Sequence, residues 1–366
     1  MKKYSFIIPA YQSKVMLKNS LEAINFLEGY PKEKFEVIVV DDGSMDGTKD
    51  FIKGVNRNYE LKYVYLERCE DSCRSRARNF GMKNAEGEIL IFIDADIIIR
   101  KDYLKEVERY YCTNNEFVLV GPRIMIPHDI TYETVQSGQV FEEFTFDCSR
   151  DELHEFRYGV FNELSYNASA IMYPFLYGQS CNLAVPKKWL EKVNGFDEDL
   201  KAWGLEDIEA VYKLWKEGLK FYINSKLEVL HQFHWFEGKI VEDDKIAGVE
   251  ENTRLFLLKH SNIFNIPEEK VYELFKGLAI RFWYVEKQAS EYTNRIVIEF
   301  KDRNTLEDLK ETIAALSNRK GLEIVINDHI EDTDLDIWIQ FLGRRNSTPK
   351  YYPVSRKLLV NQRQTV

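Results

Sequence analysis

Basic residues are in short supply: 50 Lys and Arg stand against 60 Asp and Glu in 366 residues, a formal net charge of −10. Nucleic-acid binders gain affinity by neutralising phosphates, so the chain lacks their overall electropositive footprint and any basic site must be local. Cysteine is scarce too. Cys69, Cys73, Cys112, Cys148 and Cys181 are odd in number, form no CxxC pair and follow no regular spacing, which argues against a disulfide framework or a structural zinc site. A reducing cytoplasm is the expected setting. Long apolar runs are missing as well. The N-terminal run Phe6–Ala10 is too short for a signal peptide, and the most apolar stretch, Ile89–Ile99, is interrupted by Asp94 and Asp96, which lipid would penalise. No integral membrane segment is expected, while peripheral membrane contact stays open. There is no internal repeat, no low-complexity segment and no Gly-x-Ser-x-Gly elbow of the hydrolase type.

What is present is a core-forming composition, 45% hydrophobic and 14% aromatic. At roughly 150 residues per domain, the length suggests about two domains. Between residues 4 and 121, β-branched runs alternate with helical stretches, the pattern of βαβ units and a mostly parallel sheet. Strands are expected at Tyr4–Ile8, Phe35–Val40, Leu61–Leu66, Glu88–Ile93 and Glu116–Val120, and helices at Val15–Glu28, Asp46–Asn56, Ser72–Asn84 and Asp102–Tyr111. An aromatic-rich stretch over 122–178 reads as a substrate-facing insertion. Further strands are expected at Asn182–Val185, Lys220–Ile223 and Leu227–Leu230, with helices at Pro186–Val193, Leu205–Glu217, 243–260 and 267–288. Near Glu291 the composition changes, and Arg295–Phe300, Thr305–Ser317 and Leu322–Ile326 read as strand, helix and strand. An acidic segment, Asp328 to Asp336, follows. The last thirty residues hold Arg344, Arg345, Lys350, Arg356, Lys357 and Arg363 and no acidic side chain, which suits a solvated tail or a patch for an anionic partner. The expected layout is an α/β catalytic domain over 1–240, a helical extension over 241–290 and a small α/β accessory domain with a basic tail over 291–366.

Ligands of such folds sit at the carboxyl ends of the strands, where the strongest motifs fall. Ile93-Asp94-Ala95-Asp96-Ile97 embeds two carboxylates among apolar residues. Such charges are costly unless a cation meets them, and a hard divalent ion bridging diphosphate oxygens would do so. The plainer alternative is capping of the next helix. Asp41-Asp42-Gly43-Ser44 closes another strand, and a carboxylate there can accept a hydrogen bond from a base ring N–H or a ribose hydroxyl. Asp41 is the better ligand candidate, Asp42 the more ordinary turn residue. Glu206 and Asp207 open a helix whose positive N-terminus keeps at least one of them ionised, as a general base or merely as caps. Arg74, Arg76 and Arg78 spread over more than one helix face; one or two could neutralise phosphates, and at least one reads as a surface charge.

In this order, Phe6-Ile7-Ile8-Pro9-Ala10-Tyr11, Val39-Val40-Asp41-Asp42-Gly43-Ser44-Met45-Asp46-Gly47-Thr48, Ala77-Arg78-Asn79-Phe80-Gly81 and Ile93-Asp94-Ala95-Asp96 resemble family 2 glycosyltransferases of the GT-A fold. Gly195-Phe196-Asp197-Glu198-Asp199, Trp203-Gly204-Leu205-Glu206-Asp207 and His231-Gln232 resemble the galactosyltransferase-like C-terminal motif of bacterial chondroitin polymerases, β-1,4-galactosyltransferases and polypeptide N-acetylgalactosaminyltransferases. The match spans roughly residues 3 to 260. The resemblance implies that Pro9, Ala10, Tyr11 and Asp41 hold the nucleoside, usually uridine, with Arg76 and Arg78 nearby. It further implies that Asp94, with Ala95, approaches the ribose and that Asp96 ligates a divalent cation, Mn2+ or Mg2+, beneath the diphosphate. His231 matches the histidine that completes this metal site; His234 is the second candidate, with a surface or core role as its alternative. Gly178 and Gln179 fall where the family surrounds the donor sugar, and a glycine there lets backbone approach a ligand. Asp207 matches the base, Glu206 the residue that orients the acceptor, and Trp203 an aromatic face for it. Leu205 replaces a glycine common in the relatives, and its side chain is expected to narrow the acceptor site.

The leading expectation is a metal-dependent inverting glycosyltransferase that moves a sugar from a nucleotide sugar, a UDP-sugar first, to a hydroxyl of a small molecule, glycan or peptide. Two alternatives are a sugar nucleotidyltransferase, for which Pro9–Lys14 lacks a glycine-rich phosphate loop, and a catalytically silent nucleotide-sugar-binding module. With neither an anchor nor a second transferase domain in view, single-sugar transfer is favoured over processive synthesis. The C-terminal unit is assigned to acceptor selection, subunit docking or stabilisation. Donor sugar and oligomeric state are left open.

Overall fold

Apolar runs bounded by polar turns give strands buried on both faces, as a sheet covered by helices requires. The computed structural model describes residues 2–112, 116–126, 128–143, 155, 157, 160–161, 166–171, 173–233, 240–260, 294–342 and 349–353. His234, the expected helix over 267–288 and Arg344, Arg345, Arg356, Lys357 and Arg363 lie outside these residues. The first half alternates β1 (Tyr4–Ala10), α1 (Lys14–Asn25), β2 (Phe35–Asp41), α2 (Thr48–Lys53), β3 (Glu60–Tyr65), α3 (Arg74–Asn84), β4 (Ile89–Ile93), β5 (Ile97–Ile99), α4 (Tyr103–Tyr111), β6 (Phe117–Val120) and β7 (Arg123–Met125). Next come α5 (Tyr132–Gln136), α6 (Val140–Glu143), β8 (Asn182–Pro186), α7 (Lys187–Lys192), α8 (Glu206–Lys216), β9 (Lys220–Ile223), β10 (Val229–His231) and α9 (Ile240–Lys259).

Seven strands form a central sheet in the order β3-β2-β1-β4-β8-β6-β9. All neighbouring pairs run parallel except those of β8, which is antiparallel to β4 and β6. Ile7, Ile38, Val40 and Phe92 pack on one face, and Phe6, Ile8, Val37, Val39 and Ile91 on the other. Strand β10 leaves this sheet and pairs antiparallel with β5 and parallel with β7. Neither β5 nor β7 was expected, because three-residue strands carry almost no periodic signal.

The aromatic stretch does not face substrate where it is described. Phe161, Tyr166, Phe175 and Tyr177 are buried in the core, and the Phe175 ring lies 5.1 Å from Tyr212 and 5.2 Å from Trp215 of α8. Aromatic density here supplies packing volume beneath α8.

A second core belongs to β11 (Asn294–Phe300), α10 (Leu306–Ser317), β12 (Leu322–Asp328), α11 (Thr333–Leu342) and β13 (Lys350–Pro353), whose strands form a parallel sheet. The acidic segment is thus no loose stretch. Asp328 is buried and accepts hydrogen bonds from the backbone of Ile330, Glu331 and Asp332 and from Tyr351, while Asp334 and Asp336 lie in the first turn of α11. Lys350 pairs with Glu323 at 2.9 Å. This unit docks on the edge strand β9: the Gln340 side-chain amide accepts from Ile223 N–H and donates to Ile223 C=O, each at 3.0 Å. One amide thereby takes both outward backbone groups of that residue, a device that blunts a sheet edge.

Gly121, between β6 and β7, marks the tightest backbone approach near the site. A Cβ there would stand 1.9 Å from the Leu227 carbonyl oxygen and 2.6 Å from Asn182 Nδ2. Neither neighbour can yield, since Asn182 Nδ2 itself donates to Leu227 O at 2.6 Å. Gly121→Ala is expected to cost about 1–3 kcal/mol by overpacking, read as a lower urea midpoint at unchanged slope.

Candidate active site

The carboxyl ends of β1, β2 and β4 lie side by side at one end of the central sheet, where parallel sheets place their functional loops. Asp41 ends β2 fully buried; its carboxylate accepts from Ser44 N–H at 2.8 Å and Tyr63 O–H at 2.6 Å. Gly43 follows with φ +83°, and a Cβ there would meet the Arg68 Cβ at 2.8 Å, so the turn requires glycine. Asp42, also buried, accepts from Arg68 at 2.5 Å, Ser72 at 2.9 Å and Arg76 at 3.4 Å. Burial nevertheless holds its carboxyl above the usual range, against the pull of Ser72, Arg68 and Arg76. Ala10 is buried, whereas Tyr11 is 48% exposed with the Arg68 guanidinium 4.0 Å from its ring centre. The exposed Tyr11–Arg68 stack and the buried Asp41 carboxylate thus stand just after the adjacent strands β1 and β2.

Asp94-Ala95-Asp96 forms the turn from β4 to β5, and the buried Ala95 carbonyl is held by the Ser20 hydroxyl at 2.8 Å. Pairing of β5 with β10 sets Ile97 opposite His231, which brings Asp96 Oδ2 and His231 Nε2 to 3.4 Å. Neighbouring ligands of an octahedral cation bound at about 2.1 Å lie about 3 Å apart, so this oxygen–nitrogen pair fits two adjacent corners of one coordination sphere. Among the described residues, three grouped carboxylates with metal-like spacing occur only at Glu36, Glu60 and Glu86, and there Lys62 Nζ already lies 2.7 Å from Glu36.

Arg78 is the pivot between the two ends of the site. Its side chain is 3% exposed; Nη2 lies 3.3 Å from Asp94 Oδ1 and Nη1 donates to Glu206 Oε1 at 3.1 Å. It therefore does not stand free beside the nucleoside. The next residue but one in the helix series, Arg76, remains partly exposed, and Arg74 is fully at the surface. Asn79, also in α3, binds both backbone groups of Phe196 at 2.8 and 2.9 Å and so ties the Ala77–Gly81 motif to the Gly195–Asp199 motif.

Asp207 lies beside Glu206 at the start of α8. Its Oδ2 accepts from Ser180 N–H at 3.2 Å and Oδ1 from Ile208 N–H at 2.8 Å. Burial, then the Glu206 charge, raise its carboxyl to about 6 despite the opposing pull of Arg78. That places a proton acceptor near working pH, as general-base chemistry favours. Leu205, the residue before, has φ +71° and is buried in the core. The backbone here is left-handed, a region that favours glycine, and the Leu205 side chain packs in the core instead of narrowing the acceptor site. Trp203, 43% exposed, does face outward. Gly178 answers to a packing demand, since a Cβ would meet Val211 at 2.7 Å. Gln179 Oε1 is buried without a hydrogen-bond partner.

Sequence reading passed over Arg68 and Arg123. Arg123 Nη1 approaches Cys181 Sγ at 3.6 Å and Nε lies 3.0 Å from Glu155. No motif marks either one, because each acquires its contacts from partners distant in sequence.

Residues 5–169 match the profile of glycosyl transferase family 2, and residues 162–235 match the N-terminal domain of galactosyltransferase. The chain is a glycosyltransferase, with its family 2 likeness carried by residues 5–169. It is 24% identical to an uncharacterized glycosyltransferase of Bacillus subtilis over 92% of its own length and 100% of that protein. It is 27% identical to the chondroitin synthase of Pasteurella multocida over 81% of its length, spanning 32% of that larger enzyme. The mannosyltransferase of Pyrobaculum calidifontis, solved with GDP-Man and Mn2+, has the same fold, with TM-score 0.51 and 19% identity over 76% of this chain and 70% of that one. Residues 1–349 of TarS from S. aureus, solved with UDP-GlcNAc, superpose with TM-score 0.50 and 19% identity over 75% and 70% of the two chains. This glycosyltransferase is therefore a GT-A enzyme with its motifs gathered at the strand ends. No helix among the described residues is long and apolar enough to cross a membrane.

Proposed function

We propose that this glycosyltransferase transfers a sugar from a UDP-sugar to an acceptor hydroxyl on a small molecule, glycan or peptide, with inversion at the anomeric carbon. The observation that carries the proposal is the single guanidinium of Arg78 joining Asp94 at the donor end to Glu206 beside Asp207. Asp41 and the Tyr11 face receive the nucleoside. Asp94 lies toward the ribose, and Asp96 with His231 would hold a divalent cation, Mn2+ or Mg2+. Bound there, it would supply Lewis-acid stabilisation of charge on the leaving diphosphate. Glu206, fixed by Arg78, orients the acceptor, while Asp207 takes the proton of its hydroxyl. The acceptor oxygen bonds to the anomeric carbon as the bond to the diphosphate oxygen breaks on the opposite face.

The two solved neighbours hold different nucleotides, UDP-GlcNAc and GDP-Man. Thermal unfolding with UDP, GDP and dTDP, with and without Mn2+, separates the cases, since a ligand of the native state raises apparent stability by mass action. At a hundredfold excess over Kd the gain is about 2.7 kcal/mol. The expected result is stabilisation by UDP that needs Mn2+ and disappears in Asp96→Ala. Stabilisation by GDP alone would reassign the donor, and no response to any nucleotide would overturn the proposal.

A further inference from the structure

Helix α9 lies beyond every motif assigned to the reaction, yet its contacts converge on the loop that carries the acceptor side. Asn252 is fully buried, and its Nδ2 donates to Ala202 O at 3.1 Å and Gly204 O at 2.5 Å. Two carbonyl acceptors can be served only by the amide NH2, so the orientation of this side chain is set by chemistry. The clasped segment is the one in which Gly204 and Leu205 both hold positive φ, +89° and +71°. A leucine in that region is strained and keeps it only where surroundings hold it. One turn earlier on the same helix face, Gly248 meets the same segment: a Cβ there would stand 2.7 Å from Trp203 N. At its end, Lys259 pairs with Asp197 at 2.6 Å and Asp199 at 2.5 Å, and the next residue, His260, lies 2.8 Å from Glu209 of α8.

We propose that α9 sets the acceptor-side geometry of this enzyme, with Asn252 as a positioning residue that locks the Ala202–Leu205 turn and thereby aims Trp203 and the Asp207 carboxylate. The inference rests on the assignment of Asp207 as the base. Asn252 and Gly248 touch neither the Asp41 and Tyr11 nucleoside site nor the Asp96 and His231 pair, so donor binding is independent of them.

Two variants test the lock from opposite directions. Asn252→Ala removes the clasp. Gly248→Ala keeps it but pushes on Trp203 N, and alanine is the better helix former, so lost function cannot be laid to a weakened α9. The first readout is amide exchange of residues 202–206, expected to rise at least tenfold in Asn252→Ala while β1 and β4 keep wild-type protection. The second is release of UDP from UDP-glucose, UDP-galactose and their N-acetylated counterparts with Mn2+ and water as acceptor. In both variants kcat is expected to fall at least tenfold, with the donor KM and the UDP dissociation constant within twofold of wild type. Unchanged exchange at 202–206 in Asn252→Ala, or a donor KM that moves as much as kcat, would overturn the proposal. Asp207→Asn, run in parallel, reports on the base itself: if it releases UDP at the wild-type rate, the base assignment has failed irrespective of α9.

Discussion

Asp207→Asn is expected to lower kcat by about 10²–10⁴-fold, the usual worth of a positioned general base, while leaving Mn2+-dependent UDP binding intact. Asparagine keeps one oxygen, which accepts from Ser180 or from Ile208 but not from both as the two carboxylate oxygens do, and it cannot take the acceptor's proton. The pH dependence of the wild type follows from the raised Asp207 carboxyl. Only the ionised form is a base, so kcat/KM should fall about tenfold per pH unit below about 6 and level off above it. The cause is also testable. Glu206→Gln removes the like charge that helps raise Asp207, so the acid limb should move to lower pH even as acceptor handling suffers. Stability runs the other way. A carboxyl raised on folding favours the folded state while protonated, below its ordinary range, and that advantage is lost as pH rises through about 6. Asp207→Asn sheds the buried charge but leaves one of the two N–H donors unmatched, so the two effects oppose each other and urea unfolding above pH 6 accompanies the kinetics to show that the variant is folded. An unshifted acid limb in Glu206→Gln, or wild-type turnover in Asp207→Asn, would remove Asp207 from the base role.

Arg78→Met should damage fold and function together. Methionine retains much of the stem volume but leaves Glu206, 6% exposed, and Asp94, 35% exposed, without their shared cation. Breaking a buried pair by removing one partner typically costs about 3–5 kcal/mol. Urea unfolding at neutral pH should show a loss of that size. A loss of only about 1 kcal/mol, the worth of an exposed pair, would mean that the bridge does not hold the two segments together. Arg76→Met, at a partly exposed position whose Asp42 partner is also served by Arg68 and Ser72, should cost far less.

Much of this glycosyltransferase is legible in residue order alone. Strands buried on both faces announce themselves as unbroken apolar runs, and β1, β2, β4, β8 and β9 fall within one or two residues of the expected places. The motifs lie where parallel strands end, so their gathering at one end of the sheet follows from topology. Both signals are local in the chain.

Tertiary structure decided whatever depends on distance between remote segments. The approach of Asp96 to His231 is made by a β5–β10 ladder too short to leave a periodic trace. Arg78 reads as a phosphate ligand on its helix, but burial between Asp94 and Glu206 commits it to joining the two ends of the site. The Phe161–Tyr177 aromatics, the Leu205 side chain and the missing Cβ of Gly178 all turn inward to satisfy packing against α8 and the core. Sequence patterning encodes which residue types are available and on which element. Which neighbour claims each side chain is settled only when the elements pack, because burial and pairing energies depend on three-dimensional separation and not on separation along the chain.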